Sequence, residues 1–474
     1  MKIKTIDFLY IFFICSFTFI YFLNFPLNVD STWILYSAER LLLGDLLFVE
    51  PSNADLPINF FYSAFCVILS KFLPFSVANI YIIFVLLIIA TSLFLSYKIL
   101  LKVYPFRGDT IRYYLYILSI SFTVFVLPDF GERGHLFIVS LIPYILMMMN
   151  KDTIKLENKF IVLISLLAAF GFNIKPHFVL VLLSIELIYL IHKKKISLLF
   201  RLDIYIIAFI SIIHLFILLY MFPQWLNFSI PLSLNAYANA FNKPLDVLIF
   251  QLDIILLFIS LILWIAFSKR EFNLPIKILF TVLITTLAIY LIQQKGWFYH
   301  RLPLFITTIL FIIYISLQIK NFSKIYIIGF LPFIISIFIN NIQSHPRFNN
   351  LEKILNSLPK GNAIHILSSD IAQGQALLVK NKQQWASRFS AFFMTKAVVV
   401  EKNEFVKKYL FESLEKDIYK FKTDNIIFCK DYNNFNYYNF IRSNKIINTL
   451  LTKHYKKEII EKCIVLSKIK EFSK

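Results

Sequence analysis

Long apolar runs recur along the first 341 residues, separated by short polar turns. Each is close to the length a helix needs to cross a bilayer core, about 20 residues at ~1.5 Å per residue. The pattern predicts eleven spans, near 7–24, 77–98, 113–128, 135–149, 159–174, 178–192, 203–222, 247–267, 274–292, 302–318 and 325–341. A further stretch, 58–73, contains Asn59 and is bracketed by Pro57 and Pro74. It reads either as a span or as a re-entrant interfacial helix.

Beyond residue 341 the pattern changes. AIHILSS (363–369), KAVVV (396–400), NIIFC (425–429) and KCIVLS (462–467) predict short strands. LEKILNSL (351–358) and FVKKYLFESLEKDIYKF (405–421) predict helices, the second amphipathic. The expected fold class is an all-α polytopic membrane domain over 1–341, followed by a small C-terminal α/β domain over 342–474.

Composition agrees and narrows the options. The chain is 58% hydrophobic and 16% charged, where soluble domains run about 45–50% and about 25%. Its nine glycines form no cluster, which excludes a Rossmann fingerprint and a P-loop. The net charge of +20 acts mainly as a topology signal. With the N-terminus cytoplasmic and 58–73 not spanning, 18 of the 25 Lys and Arg before residue 342 face the cytoplasm and 7 face outward. If 58–73 spanned, that bias would reverse, so the positive-inside rule favours eleven spans in the plasma membrane and an outer-face tail. The first span reads as a signal anchor, with no small-x-small cleavage site after it. The tail carries +11 of the net charge. That excess suits anionic lipid or glycan, or else reflects composition bias, and nothing asks for nucleic acid. Cys429 and Cys463 lie in the tail, either paired or as two free buried thiols.

Two acids, Glu186 and Asp253, fall within spans without basic partners nearby in sequence. Each lines a cavity or hydrogen-bonds to a neighbouring helix. The chemistry collects instead in the outer loops. PLNVDSTW places Asp30 just past the first span, and STWILYSAERLLLGD follows as an amphipathic segment, with Glu50, Asp55 and Pro57 beyond it. PDFGERGH packs Asp129, Glu132, Arg133 and His135 into one turn. NIKPHF supplies Lys175 and His177, and QQKGWFYHR supplies Lys295, Trp297, Tyr299, His300 and Arg301. Acids lead in the first two loops, and bases with His in the later ones. A carboxylate that deprotonates an acceptor hydroxyl, opposite cations that hold a departing phosphate, suits such sorting. Arg133, Lys175, Lys295, His300 and Arg301 are the candidate phosphate ligands. Trp297 and Tyr299 either stack on a sugar or isoprene or anchor at the interface. Lys71 and Lys243 read as solvated.

These features resemble the lipid-linked-sugar glycosyltransferases of the GT-C fold, near the dolichyl-phosphate-mannose–protein mannosyltransferases and the lipid A aminoarabinose transferases. The resemblance rests on NVDSTWILYSAERLLLGD, on ADLPINFFY, on PDFGERGH between the third and fourth spans, and on a faint echo in WASRFSAFF (385–393). It departs in reading DFGERGH rather than an Asp-rich pair, and in having LPIN where a Lys-Pro-Pro motif stands. It implies a polyprenyl-phosphate-linked sugar as donor and inverting transfer to a glycan, lipid or protein acceptor. Asp30 would be the general base, and Asp129 or Glu132 the second acid. The resemblance leaves room for a divalent metal, for which Asp30, Asp129 and Glu132 would offer oxygens, with His135 a substitute ligand for zinc.

Two other classes compete. A transporter or flippase of lipid-linked saccharide would show paired halves and midplane charges. A surface-polysaccharide polymerase or ligase would concentrate bases in one very large outer loop, whereas loop 25–76 holds five acids and two bases.

Overall fold

The computed structural model describes residues 5–237, 241–267, 273–318, 349–368, 378, 383–392, 394–429, 435–460 and 463–469. Fourteen helices are described before residue 319: α1 Thr5–Asn24, α2 Val29–Leu42, α3 Pro57–Ser70, α4 Val77–Val103, α5 Gly108–Phe122, α6 Arg133–Met149, α7 Asn158–Phe172, α8 Val179–Lys193, α9 Leu202–Met221, α10 Ile230–Ala236, α11 Leu245–Ile249, α12 Leu252–Phe267, α13 Leu274–Gln293 and α14 Phe298–Gln318. Ten of the eleven expected spans coincide with a helix, and the eleventh, 325–341, lies outside the described residues. Among the described residues, six helices are both long and apolar enough to cross a membrane, and four apolar helices are shorter. The chain is a multi-pass membrane protein. The 58–73 stretch is the 14-residue helix α3, which at ~1.5 Å per residue falls short of a bilayer core about 30 Å thick.

The chain forms two compact units: residues 1–25, 55–218 and 242–342 make the first, and 26–54, 219–241 and 343–474 make the second. The second is therefore discontinuous, and the expected single boundary near 341 lies outside the described residues.

Helix α6 organises the first unit. It packs against α4, α7, α13 and α14, and every residue from Gly134 to Met149 is buried. In a bilayer, water exclusion does not drive such packing, and close van der Waals fit and internal hydrogen bonds do. Pro143 lacks the amide that would bond to the Val139 carbonyl. The hydroxyl of Ser92 on α4 donates to that carbonyl instead, at 2.6 Å. A polar chain links three further elements. Ile58 N–H donates to His214 Nε2 (3.2 Å), and His214 Nδ1 pairs with Asn173 Oδ1 (3.0 Å).

The second unit is an α/β sandwich. Its strands are β1 Ala363–Leu367, β2 Gln384–Trp385, β3 Asn425–Phe428, β4 Tyr455–Ile460 and β5 Cys463–Lys468, in the order β2-β1-β3-β5-β4. β1 runs parallel to β2 and β3, while β5 is antiparallel to both its neighbours. Its later helices are α15 Asn349–Ser357, α16 Thr395–Val399, α17 Glu404–Lys420, α18 Tyr437–Arg442 and α19 Lys445–His454. Alternation along β3 sends Ile426 and Phe428 into one core and Ile427 into the other. The first core holds Leu410 and Leu414 of α17 and Leu232 of α10. The second holds Trp33 of α2 and Ile354 of α15. KAVVV, expected as a strand, lies in helix α16 and its end, where Ala397 and Val398 pack on the first core. Burial of one face overrides the β preference of its valines. The strand at 455–460 was not expected, because Lys456, Lys457 and Glu458 hide its pattern. Cys429 and Cys463 form a disulfide.

Candidate functional site

The acidic turn is built by the start of α6. Glu132 caps this helix, accepting the Gly134 amide at 2.9 Å on Oε2 and the Arg133 Nε–H at 2.7 Å on Oε1. Arg133 also pairs with Asp55, two residues ahead of α3. The Tyr81 hydroxyl donates to the Gly131 carbonyl, and the Gly131 amide donates to His135 Nδ1 at 2.9 Å. Burial by itself would raise the Glu132 carboxyl, but Arg133, Lys175 and the Gly134 amide hold it below the usual carboxylate range. It is therefore ionised at neutral pH.

Facing this turn is the start of α14. Pro303 cannot donate the usual helical bond to the Tyr299 carbonyl, and Gly134 packs against that oxygen. A Cβ at 134 would stand 2.4 Å from it, so only glycine lets the two helix starts meet. Tyr299 stacks on Trp297 with centroids 5.8 Å apart, meets His300 edge-on at 4.3 Å, and has the Lys175 ammonium 5.3 Å from its ring centre. Lys175, Arg133, His177 and Lys295 are near enough for their charges to act on His300. Lys295 is buried and donates to Asn242 Oδ1 at 2.8 Å. Of the five expected phosphate ligands, Lys175 and His300 thus lie against Tyr299, Arg133 adjoins Gly134 at the Tyr299 carbonyl, and Lys295 stands two residues before Trp297. They come from three distant stretches of chain.

Arg301 has other partners. Its Nη1 donates to Asp253 Oδ1 at 2.8 Å and to Gln251 Oε1 at 2.6 Å, and its guanidinium lies 5.5 Å from the Phe298 ring centre. Asp253 is therefore a paired acid. So is Glu186, which receives the Arg201 guanidinium at 2.8 Å and the Tyr144 hydroxyl. Both partners are remote in sequence, which is why each acid read as unpaired. Lys243, expected to be solvated, is exposed, and its backbone is tied to the aromatic turn. Its amide donates to the Gln294 carbonyl at 2.7 Å, and its stem occupies the space a side chain at Gly296 (φ +72°) would need. His177 lies 3.3 Å from Gln293 Nε2.

Asp30 belongs to the second unit, in the first turn of α2, where its amide donates to the capping Asn28 Oδ1 at 2.8 Å. Asp129 is buried in the first unit, and its carbonyl accepts the Glu132 amide at 3.0 Å. Among the described residues no three His, Cys, Asp or Glu side chains gather as a metal site. Both Glu132 oxygens and His135 Nδ1 are engaged by donors.

The second unit holds a different charged group. Arg388 donates to Asp417 at 2.8 Å and lies 3.5 Å from Glu50, Lys420 reaches Glu50 at 2.7 Å and Asp45 at 3.0 Å, and Arg40 reaches Asp45 at 2.5 Å. Tyr36 closes it, its hydroxyl donating to the Trp385 carbonyl at 3.2 Å. Sequence reasoning missed this network. The available signal was Asp417, an acid on the apolar side of the amphipathic helix at 405–421.

These features define a multi-pass membrane protein of the GT-C fold, with a helical unit and an α/β unit. The chain is similar to ArnT from Cupriavidus metallidurans, solved in the apo state, over 97% of this chain and 97% of that one, with a TM-score of 0.56 and 10% sequence identity. At that identity the likeness establishes the fold. No protein-family model and no curated protein matches the chain.

Proposed function

We propose that the protein is an integral-membrane glycosyltransferase that moves a sugar from a polyprenyl-phosphate donor to a hydroxyl of a glycan, lipid or protein acceptor. The observation that carries this reading is the convergence of Arg133, Lys175, Lys295 and His300 beside stacked Trp297 and Tyr299. A buried Lys295 with half-buried Arg133 and Lys175 matches a phosphate carried by a lipid. The ArnT-like fold supports the same class.

In this reading Asp30 takes the proton of the acceptor hydroxyl as its oxygen bonds to the anomeric carbon. The bond from that carbon to the phosphate oxygen breaks, and polyprenyl phosphate leaves with both electrons. Attack from the face opposite the phosphate inverts the anomeric centre. Arg133, Lys175 and Lys295 hold the charge that develops on the leaving phosphate. Glu132 and Asp55 position Arg133 rather than react, since their oxygens are already paired with it. No step is routed through a metal. The Cys429–Cys463 disulfide supports an oxidising, extracytoplasmic setting for the α/β unit.

The test is turnover of the purified, reconstituted chain with a polyprenyl-phosphate sugar. Asp30→Asn is expected to lower transfer by about 10²–10⁴-fold with an unchanged melting profile. Near-normal turnover of this variant would remove Asp30 from the base role.

A further inference from the structure

The described surface of the α/β unit is not uniformly polar. Between Phe435 and Ile460 the chain carries five Lys or Arg and one acid, Glu458. Side chains alternate along β4, the edge strand of the sheet. Tyr455 points into the core shared with α19, so Lys457 and Ile459 lie on the α18–α19 side. Glu458 lies on the opposite face, 2.9 Å from Lys456. On the α18–α19 side, Tyr438 is bracketed by two cations, the Lys457 ammonium 4.6 Å and the Arg442 guanidinium 5.2 Å from its ring centre. Arg442 also donates to the Tyr438 hydroxyl at 3.0 Å. Two large aliphatic side chains stand out on the same elements, Ile459 of β4 at 71% and Ile446 of α19 at 62% exposure. Lys445 and Lys453 are exposed on α19 with Ile446.

We propose that this face is a lipid-docking surface, by which the α/β unit lies on a bilayer rich in anionic headgroups. The combination decides the occupant. Cations alone would suit any polyanion, and exposed aliphatics alone any apolar partner. An aromatic ring bracketed by Arg and Lys, flanked by protruding isoleucines, matches a boundary where phosphate headgroups overlie acyl chains. The lysines also keep the β4 edge from pairing with another strand. The surface would keep the unit against the bilayer, where a lipid-carried substrate travels, but it does not depend on the transferase reading.

The test uses the full chain in nanodiscs. Ile459→Cys, in a background with Cys15→Ser and Cys66→Ser, carries an environment-sensitive fluorophore. Discs contain phosphatidylcholine alone or mixed with phosphatidylglycerol, each with a trace of spin-labelled lipid. Quenching is expected in the anionic discs, reversed by high salt. Lys457→Gln and Arg442→Gln are each expected to weaken the docked state roughly fivefold, with melting unchanged. Absence of quenching in every disc would overturn the proposal. So would quenching equal in both lipids and insensitive to salt, or protection of the probe by a soluble sulfated polysaccharide but not by lipid.

Discussion

The two charged groups in this protein differ in what lies beside their charges. In the α/β unit, Arg40, Arg388 and Lys420 face Asp45, Glu50 and Asp417 in a closed set of ion pairs. Equal numbers of each sign, all within pairing distance, make a network that holds segments together. In the helical unit Asp55 and Glu132 hold Arg133, Lys295 donates to Asn242, and Lys175 lies over the Tyr299 ring. Desolvating charge is costly unless it is paired, so the first group reads as architecture. The second keeps cations next to stacked aromatic rings, an arrangement suited to an arriving anion.

The largest expected effect tests that distinction directly. Lys175→Ala together with Lys295→Ala should weaken donor binding by about 10²-fold or more, at roughly 1.5–3 kcal/mol for each charge-assisted hydrogen bond removed, with melting little changed. Donor titration at two salt concentrations measures this, and unchanged affinity would break the contrast. Arg388→Ala should act the other way. It leaves the buried Asp417 unpaired and should cost about 3–5 kcal/mol of stability, read by denaturant unfolding, with donor affinity per folded molecule retained. Replacing Cys429 and Cys463 by Ser should cost about 2–4 kcal/mol, and reductant should reproduce the loss in the parent chain. Gly134→Ala should cost about 1–3 kcal/mol by forcing α6 from the Tyr299 carbonyl, with a larger loss of donor affinity than of stability.

The smallest effect concerns pH. Burial, opposed by Arg388, raises the Asp417 carboxyl to about 6 from its ordinary 3.8. The folded state then binds this proton more tightly than the unfolded state. Its contribution to stability is greatest below about pH 4 and declines as pH rises toward about 6. Melting of the chain across this window should show that slope, and Asp417→Asn should flatten it at the cost of a weaker bond to Arg388.

Much of the fold was legible because apolar runs and polar turns are local properties. Helix existence, the membrane class, three of the strands and the amphipathic helix at 404–420 all followed from short-range pattern. The candidate site was legible by residue type only, in that the turns at 129–135, 175–177 and 295–300 stood out for their charged and aromatic residues. Arg301 was grouped with the other cations, and its bond to Asp253, 48 residues away, leaves no mark in nearby sequence. Lys243 is exposed, as expected, while the bond from its amide to Gln294 leaves no mark in nearby sequence.

By itself, then, the amino-acid sequence determined that this chain is a multi-pass membrane protein with a C-terminal α/β region, since hydrophobic length and period express themselves one segment at a time. Only the tertiary structure decided which charges are matched. That residues 26–54 and 219–241 belong with the α/β unit, that Gly134 meets the Tyr299 carbonyl, and that Lys175 lies over Tyr299 all depend on the meeting of segments far apart in the chain. Pairing energies fall off over a few ångströms, and distance along the chain carries no information about distance in space.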